Sequence, residues 1–60
     1  MRFERALIYR REFLIERPDL QEQVDDLLQL MFDEIEQGGS TDHEIDLFIS
    51  SCDDLLIEEL

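Results

Sequence analysis

The side chains that most often carry catalysis are scarce in this chain of 60 residues. It has one histidine, His43, and one cysteine, Cys52. If both lie on one helix, their separation of nine positions spans about 13 Å along the axis, which is too far for a base to activate a nucleophile. We therefore expect Cys52 to be a small core residue and His43 to be solvated.

Metal and cofactor chemistry is also weakly indicated. Acid pairs occur at Asp25-Asp26, Asp33-Glu34 and Asp53-Asp54. They lack the alternating oxygen ligands and central glycine of an EF-hand loop, and no Glu-x-x-His pair is present for a di-metal site. No glycine-rich phosphate loop and no basic-aromatic patch occurs. The sequence thus predicts a protein that is not an enzyme and uses no cofactor and no metal.

The charge of the chain is large and segregated. Seventeen acids against five basic residues give a net charge of −12. Residues 1–17 hold all five arginines and three glutamates, whereas residues 18–60 hold fourteen acids and no lysine or arginine. Such a surface is repelled by nucleic-acid phosphates and by anionic membranes, and it attracts basic proteins. We expect no direct nucleic-acid binding and no membrane association.

Length and composition predict one small domain over residues 1–60. The chain is 43% hydrophobic, which is too apolar for a typical disordered segment. No stretch is apolar and long enough to span a bilayer, and the N-terminal residues lack the apolar core of a signal peptide. A single cysteine forms no intramolecular disulfide, so a reducing compartment, the cytoplasm, is the expected location.

Two breaks divide the chain into three helical segments, about 2–16, 18–37 and 42–59. Arg17-Pro18 is the first break, because the residue before proline avoids the helical region and proline fits the first turn of a helix. Gly38-Gly39 is the second, a typical helix end. Thr41 followed by Glu44 reads as a capping box with Thr41 as N-cap. The sequence predicts an all-α unit with a helical hairpin at 18–59 and the first helix packed across it.

The second and third segments each have a clear apolar face at helical spacing. In the second, this face comprises Leu20, Val24, Leu27, Leu28, Met31 and Ile35. In the third, it comprises Ile45, Phe48, Ile49, Cys52, Leu55 and Leu56. These residues are the expected core of the hairpin.

The tetrapeptide Asp-Asp-Leu-Leu occurs twice, at residues 25–28 and 53–56. In each copy the two leucines lie on the apolar face of the helix. Both aspartates are predicted to lie outside it. Each block is therefore one turn of amphipathic helix, apolar inside and doubly acidic outside, and two copies are too few to indicate a repeat architecture.

The first segment is ambiguous between helix and strand. As a helix it places Phe3, Ala6, Leu7, Phe13 and Leu14 on one face, with Arg10 and Arg17 within that face. As a strand it places Phe3, Leu7, Tyr9, Phe13 and Ile15 together. Its length and its helical neighbours favour a helix. Arg10 then either binds a carboxylate of another segment or extends to the rim of the apolar face.

Several large aliphatic side chains lie off the apolar stripes. They are Ile8, Ile15, Leu30, Leu47 and Ile57. Five such residues in so short a chain predict a second apolar surface that contacts a partner protein or a second copy. We expect a homodimeric helical bundle, with the arginine-rich first helix between the acidic parts of the two copies.

These features predict a non-catalytic protein that binds and modulates a basic partner protein through an acidic amphipathic helical surface. The size and charge are typical of inhibitors encoded by phages and mobile elements. The expected partner-contacting acids are Glu22, Asp25, Asp26, Asp33, Glu36, Asp53, Asp54 and Glu58. One alternative is a nucleic-acid mimic that occupies the DNA or RNA site of another protein. A second alternative is a structural or assembly subunit that acts through its exposed apolar residues.

Overall fold

The computed structural model describes the backbone of residues 3–58 and the side chains of residues 3–57. Within these residues the chain forms three α-helices and one 3-10 turn, and no strand. Helix α1 spans Glu4–Glu16, the 3-10 turn spans Pro18–Leu20, α2 spans Gln21–Glu36 and α3 spans Thr41–Glu58. The prediction of a small all-α unit is confirmed, and the first segment is a helix. Residues 2 and 59, which were included in the predicted helices, lie outside the described residues.

The break at Arg17-Pro18 falls where the sequence predicts it, but the second helix starts later. Arg17 leaves the helical region with φ −133° and ψ 69°, as expected before a proline. The Leu20 N–H then bonds the Arg17 carbonyl oxygen at 3.2 Å, which makes the first turn a 3-10 turn. The predicted segment 18–37 is thus a 3-10 turn followed by α2.

Both glycines of the second break are needed by the helix end that they form. The Gly38 N–H bonds the Ile35 carbonyl at 3.1 Å, and the Gly39 N–H bonds the Glu34 carbonyl at 2.8 Å. This pair of bonds is a Schellman motif, whose left-handed residue is Gly38 at φ 105°. A Cβ at Gly39 would lie 2.8 Å from the Glu34 carbonyl oxygen, so a side chain does not fit there either.

Helix α3 begins one residue before the predicted start. Thr41 is already helical, and the Glu44 N–H bonds the Ser40 carbonyl oxygen at 2.9 Å. Ser40, not Thr41, is therefore the N-cap, and the predicted capping box of Thr41 with Glu44 is wrong. Serine is at least as good an N-cap residue as threonine, so the sequence contained two adjacent candidates.

The three helices run up, down and up. Helices α2 and α3 form the antiparallel hairpin, and α1 packs across it. The Phe3 ring meets the Phe32 ring edge-on at 4.9 Å between centroids, which brings the start of α1 to the end of α2. Tyr9 bonds Asp53 near the end of α3, so α1 runs parallel to α3 and antiparallel to α2.

The buried core draws on every helix and on the 3-10 turn. It consists of Ala6, Phe13, Leu20, Val24, Met31, Ile45, Phe48 and Cys52, and the other residues of the predicted α2 and α3 faces pack against it partly buried. Leu7 is the exception on the apolar face predicted for the first helix, since it is exposed. No helix of the described part of the chain is long and apolar enough to cross a membrane.

Candidate partner-binding groove

The two Asp-Asp-Leu-Leu blocks lie on either side of α1, and their first aspartates bind it. The Arg10 guanidinium donates from Nε to Asp25 Oδ1 at 2.7 Å. The neighbouring Tyr9 hydroxyl donates to Asp53 Oδ1. Consecutive residues of α1 thus contact the matching aspartate of each block. None of the four aspartates is buried, in agreement with the prediction that they lie outside the apolar faces, but the first aspartate of each block also binds α1.

The contacts between α1 and the hairpin are mainly polar at their edges. Arg10 keeps 29% of its side chain exposed, so it both binds a carboxylate and reaches the rim. Burial of Tyr9, followed by its hydrogen bond to Asp53 and the negative charge of that carboxylate, raises the pKa of the phenol well above its ordinary value. Arg5 adds an exposed ion pair to Asp46 of α3. Hydrogen-bond donors of α1 therefore bind acidic side chains of both α2 and α3.

The hairpin has a second, open side, where α2 and α3 form an apolar groove of about 330 Å³. Two of the aliphatic residues predicted to form a contact surface, Leu30 and Leu47, lie in it, 57% and 47% exposed. The remaining lining residues are Leu27, Met31, Phe48, Ser51, Glu34 and Glu44. Leu30 and Leu47 are seventeen positions apart in the sequence, and the antiparallel hairpin brings them to one surface.

The rim of this groove is acidic. Glu34 and Glu44 line it at the end next to the Gly38-Gly39 turn. Asp26 lies one turn before Leu30 on α2, and Asp54 lies two turns after Leu47 on α3, so helical spacing places each exposed aspartate in line with the exposed leucine of its helix, outside the groove lining itself. These are the second aspartates of the two blocks. Neither α2 nor α3 contains a lysine or arginine to neutralise them.

The structure divides the predicted acidic residues into three sets. Asp25 and Asp53 bind α1, as described above. Asp33 accepts a 3.2 Å hydrogen bond from Gln29, one turn earlier on α2. The exposed remainder consists of Glu22, Asp26, Glu36 and Asp54, while the side chain of Glu58 lies outside the described residues.

The predicted aliphatic residues are also exposed, but on separate surfaces. Leu30 and Leu47 share the groove. Ile8 and Ile15 lie on the outer side of α1, 43% and 70% exposed, together with Leu7. Ile57 is exposed at the end of α3. Within the described residues, these aliphatic side chains therefore form two separate apolar surfaces, and Ile57 belongs to neither.

The groups with catalytic potential do not form a site within the described residues. Cys52 is fully buried, and burial together with the nearby Asp53 carboxylate raises the pKa of its thiol to about 11, so the nucleophilic thiolate is disfavoured. His43 is exposed near the start of α3, on the same helix as Cys52. No group of three potential metal-ligating side chains is found among the described residues.

Sequence analysis missed Leu27, Glu34, Glu44 and Ser51 as groove residues. Leu27 was assigned to the core, and the other three were not assigned to any site. For the two glutamates, helical spacing does indicate a place beside the exposed leucines, because Glu34 follows Leu30 by four residues and Glu44 precedes Leu47 by three. It becomes informative only once the pairing of α2 with α3 is known.

Comparison of the chain with protein-family models, with curated proteins and with solved structures finds no match in any of the three.

Proposed function

We propose that the protein is a non-catalytic binding protein whose α2–α3 groove takes a basic, amphipathic segment of a partner protein and thereby modulates that partner. The observation that carries this proposal is the groove itself. It gathers Leu30 and Leu47 over a floor that includes Phe48, and it has glutamates at its rim. An apolar groove between two helices is a common receptor for an amphipathic segment.

The opposite side of the hairpin supports the choice of a basic segment. There, α1 buries Ala6 and Phe13, while Arg10 and Tyr9 bind acids at the edge of the hairpin. The open side has the same components, apolar residues next to acids, without the covering helix. A segment with apolar anchors and flanking arginines or lysines would satisfy it in the same way. The acids would then steer the partner and fix its orientation, while the leucines supply most of the affinity.

The test is a pull-down from lysate of the source cells with three forms of the protein: wild type, Leu30→Glu and Ile15→Glu. The two variants add the same charge at an exposed aliphatic residue, but only the first lies in the groove. We expect wild type and Ile15→Glu to retain the same protein through a high-salt wash, and Leu30→Glu to lose it. Equal capture by all three forms would contradict the groove as the binding site.

The nucleic-acid mimic is the second candidate, and one observation favours it. Glu22, Asp26, Asp33 and Glu36 form an exposed acidic stripe along α2, on the side away from α3. In that case the captured protein would bind nucleic acid, would be released by moderate salt, and would be lost with Glu22→Gln plus Asp26→Asn but not with Leu30→Glu. The same pull-down therefore separates the two functions.

The homodimer is part of the proposal as well. Two copies of a chain of this charge repel each other most where acidic helices meet. The groove is acidic, so the outer side of α1 is the surface better suited to a second copy.

A further inference from the structure

The outer side of α1 carries an apolar patch that the proposed groove does not use. Leu7, Ile8 and Ile15 are 36%, 43% and 70% exposed. Leu7 and Ile8 line a shallow depression with Glu4, Arg10 and Arg11. Ile8 lies about 160° around the helix from the buried Ala6, so the centre of the patch is on the side of α1 turned away from the core.

Among the helices that the described residues form, α1 alone has no acidic excess, and the patch lies on this helix. Helix α1 contains three arginines and three glutamates, a balance of zero. Helices α2 and α3 each contain six acids and no arginine or lysine. A second copy that approaches along α1 therefore meets both signs of charge, whereas an approach along either other helix brings acids against acids.

We propose that the protein forms a twofold symmetric dimer in which α1 of one copy packs antiparallel against α1 of the other, with the twofold axis at Ile8. The charges of α1 are arranged symmetrically about this residue, as Glu4-Arg5 on one side and Arg11-Glu12 on the other. The Ile8 side chains of the two copies then meet at the centre of an isologous interface.

Helical geometry decides which charges face each other. At 100° per residue, Glu4 and Arg11 lie on one flank of Ile8, and Arg5 and Glu12 lie on the other. In an antiparallel twofold pair, each flank faces the same flank of the second copy. Glu4 then faces Arg11 of the second copy. Arg5, whose exposed guanidinium also binds Asp46 of its own α3, faces Glu12 of the second copy, and each pair is offset by about one residue, or 1.5 Å. Opposite charges therefore meet on both flanks, and each pair occurs twice.

This arrangement leaves both grooves free on the outer faces of the dimer. A dimer of this kind would present two acid-rimmed grooves pointing in opposite directions, and could bind a partner that has two copies of the target segment with increased avidity. The inference rests on the homodimer of the proposed function and deepens it by giving the interface and its register; it concerns a different surface from the groove and would hold whatever the groove binds.

The expected dimer is weak. The paired stretch from Glu4 to Glu12 is about 12 Å long, so the interface lies at the small end of specific protein contacts. We expect sedimentation equilibrium to show a monomer that becomes a dimer over roughly 1 μM to 1 mM, the affinity range of small interfaces. A chain that stays monomeric throughout this range would overturn the proposal.

Charge reversal tests the pairing itself. Arg11→Glu places like charges against Glu4 of the second copy at two symmetric positions, and we expect it to raise the dimer dissociation constant about tenfold, as does Glu4→Arg. The double variant Glu4→Arg plus Arg11→Glu restores both pairs and should return the dissociation constant to near the wild-type value. Failure of the double variant to recover would overturn the antiparallel register, as would single variants that dimerise normally.

Two further variants separate this interface from the groove. Ile8→Glu should abolish dimerisation, with the helix content checked by circular dichroism to show that the monomer stays folded. Leu30→Glu should dimerise like wild type even where it loses partner capture. Loss of the dimer in Leu30→Glu would show that a second copy occupies the groove, which would overturn the α1 interface and leave the partner proposal to its own test.

Discussion

The two sides of the α2–α3 hairpin are built alike and end differently. Both present apolar side chains bordered by acids. On one side, α1 covers the apolar residues, and Tyr9 and Arg10 bind the bordering aspartates. On the other side, Leu30 and Leu47 stay exposed in a groove rimmed by Glu34 and Glu44.

This difference indicates what kind of segment can cover an acid-bordered side of the hairpin. On the covered side, that segment is a helix with apolar residues in its centre and hydrogen-bond donors at its edges. Within the described residues, no helix covers the open side. Exposed leucines that are clustered in a groove are typical of a surface that binds another molecule. The contact of α1 with the hairpin therefore has the same composition as the contact that we propose between a partner segment and the groove.

The largest expected contrast is between the buried residues that α1 packs onto the hairpin and the exposed residues of the groove. Phe13 is a buried residue of α1, and Phe13→Ala should lower the free energy of unfolding by about 3–5 kcal/mol, enough to unfold most of a domain this small. Leu30→Ala should change it by no more than about 0.5 kcal/mol. Urea unfolding followed by circular dichroism measures both.

Protein concentration controls for self-association in that comparison. The unfolding of both variants should be followed at two concentrations, because dimerisation adds stability at the higher one. If Leu30→Ala destabilises the protein as much as Phe13→Ala even at high dilution, the groove side is not open, and the contrast between the two sides fails.

Most of the fold follows from local sequence signals. The proline after Arg17 and the glycines 38 and 39 end the helices where expected, and helical periodicity gives the buried faces of α2 and α3. The exceptions are local and have physical causes. Ser40 and Thr41 are both good N-caps, so the sequence alone does not choose between them. The first turn after Pro18 is 3-10 rather than α, a distinction that residue types do not encode.

The candidate site was predictable as residues but not as a surface. Periodicity showed that Leu30, Leu47 and Ile8 lie off the main stripes, and all three are exposed. It did not show that the first two share a groove while Ile8 lies elsewhere, because this depends on how the helices pair. The same limit explains the aspartate blocks. Asp25 and Asp26 are equally polar, and only the position of α1 makes one a structural contact and the other an exposed acid.

Alkaline pH should lower the free energy of unfolding, because the folded state keeps the Cys52 thiol and the Tyr9 phenol protonated. Cys52, with its pKa raised from 9.0 to about 11, is protonated in the folded state and ionised in the unfolded state between these values. The unfolded state then binds fewer protons, so the free energy of unfolding should fall as the pH rises from about 9 to about 11, by about 2 kcal/mol. Tyr9, whose pKa is also raised, should extend the loss above about pH 10.

Two variants assign this pH dependence. Urea unfolding under reducing conditions at pH 8, 9, 10 and 10.5 should give a shallower decline for Cys52→Ala than for wild type, even though the variant is less stable at every pH. Tyr9→Phe should remove the additional loss at the highest pH. Parallel profiles for wild type and Cys52→Ala would show that the thiol does not contribute.

The smallest expected contrast lies within a single Asp-Asp-Leu-Leu block and tests the comparison of the two sides most directly. Asp25 binds Arg10 of α1 at 2.7 Å, whereas the adjacent Asp26 is exposed, one turn before Leu30. Asp25→Asn should cost about 0.5–1 kcal/mol of unfolding free energy, the size of a partly exposed ion pair. Asp26→Asn should cost nothing or stabilise slightly, since it relieves repulsion in a chain of net charge −12.

Because the two variants change the net charge equally, their difference isolates the contact with α1. Arg10→Met offers a further control, since Asp25→Asn should have little additional effect once the guanidinium is gone. In binding, the order should reverse: Asp26→Asn should slow association with a basic partner more than Asp25→Asn does, because Asp26 is exposed beside Leu30, whereas the charge of Asp25 is already paired with Arg10. Equal effects of the two substitutions on both stability and association would remove the distinction between the covered and the open side on which the proposed function depends.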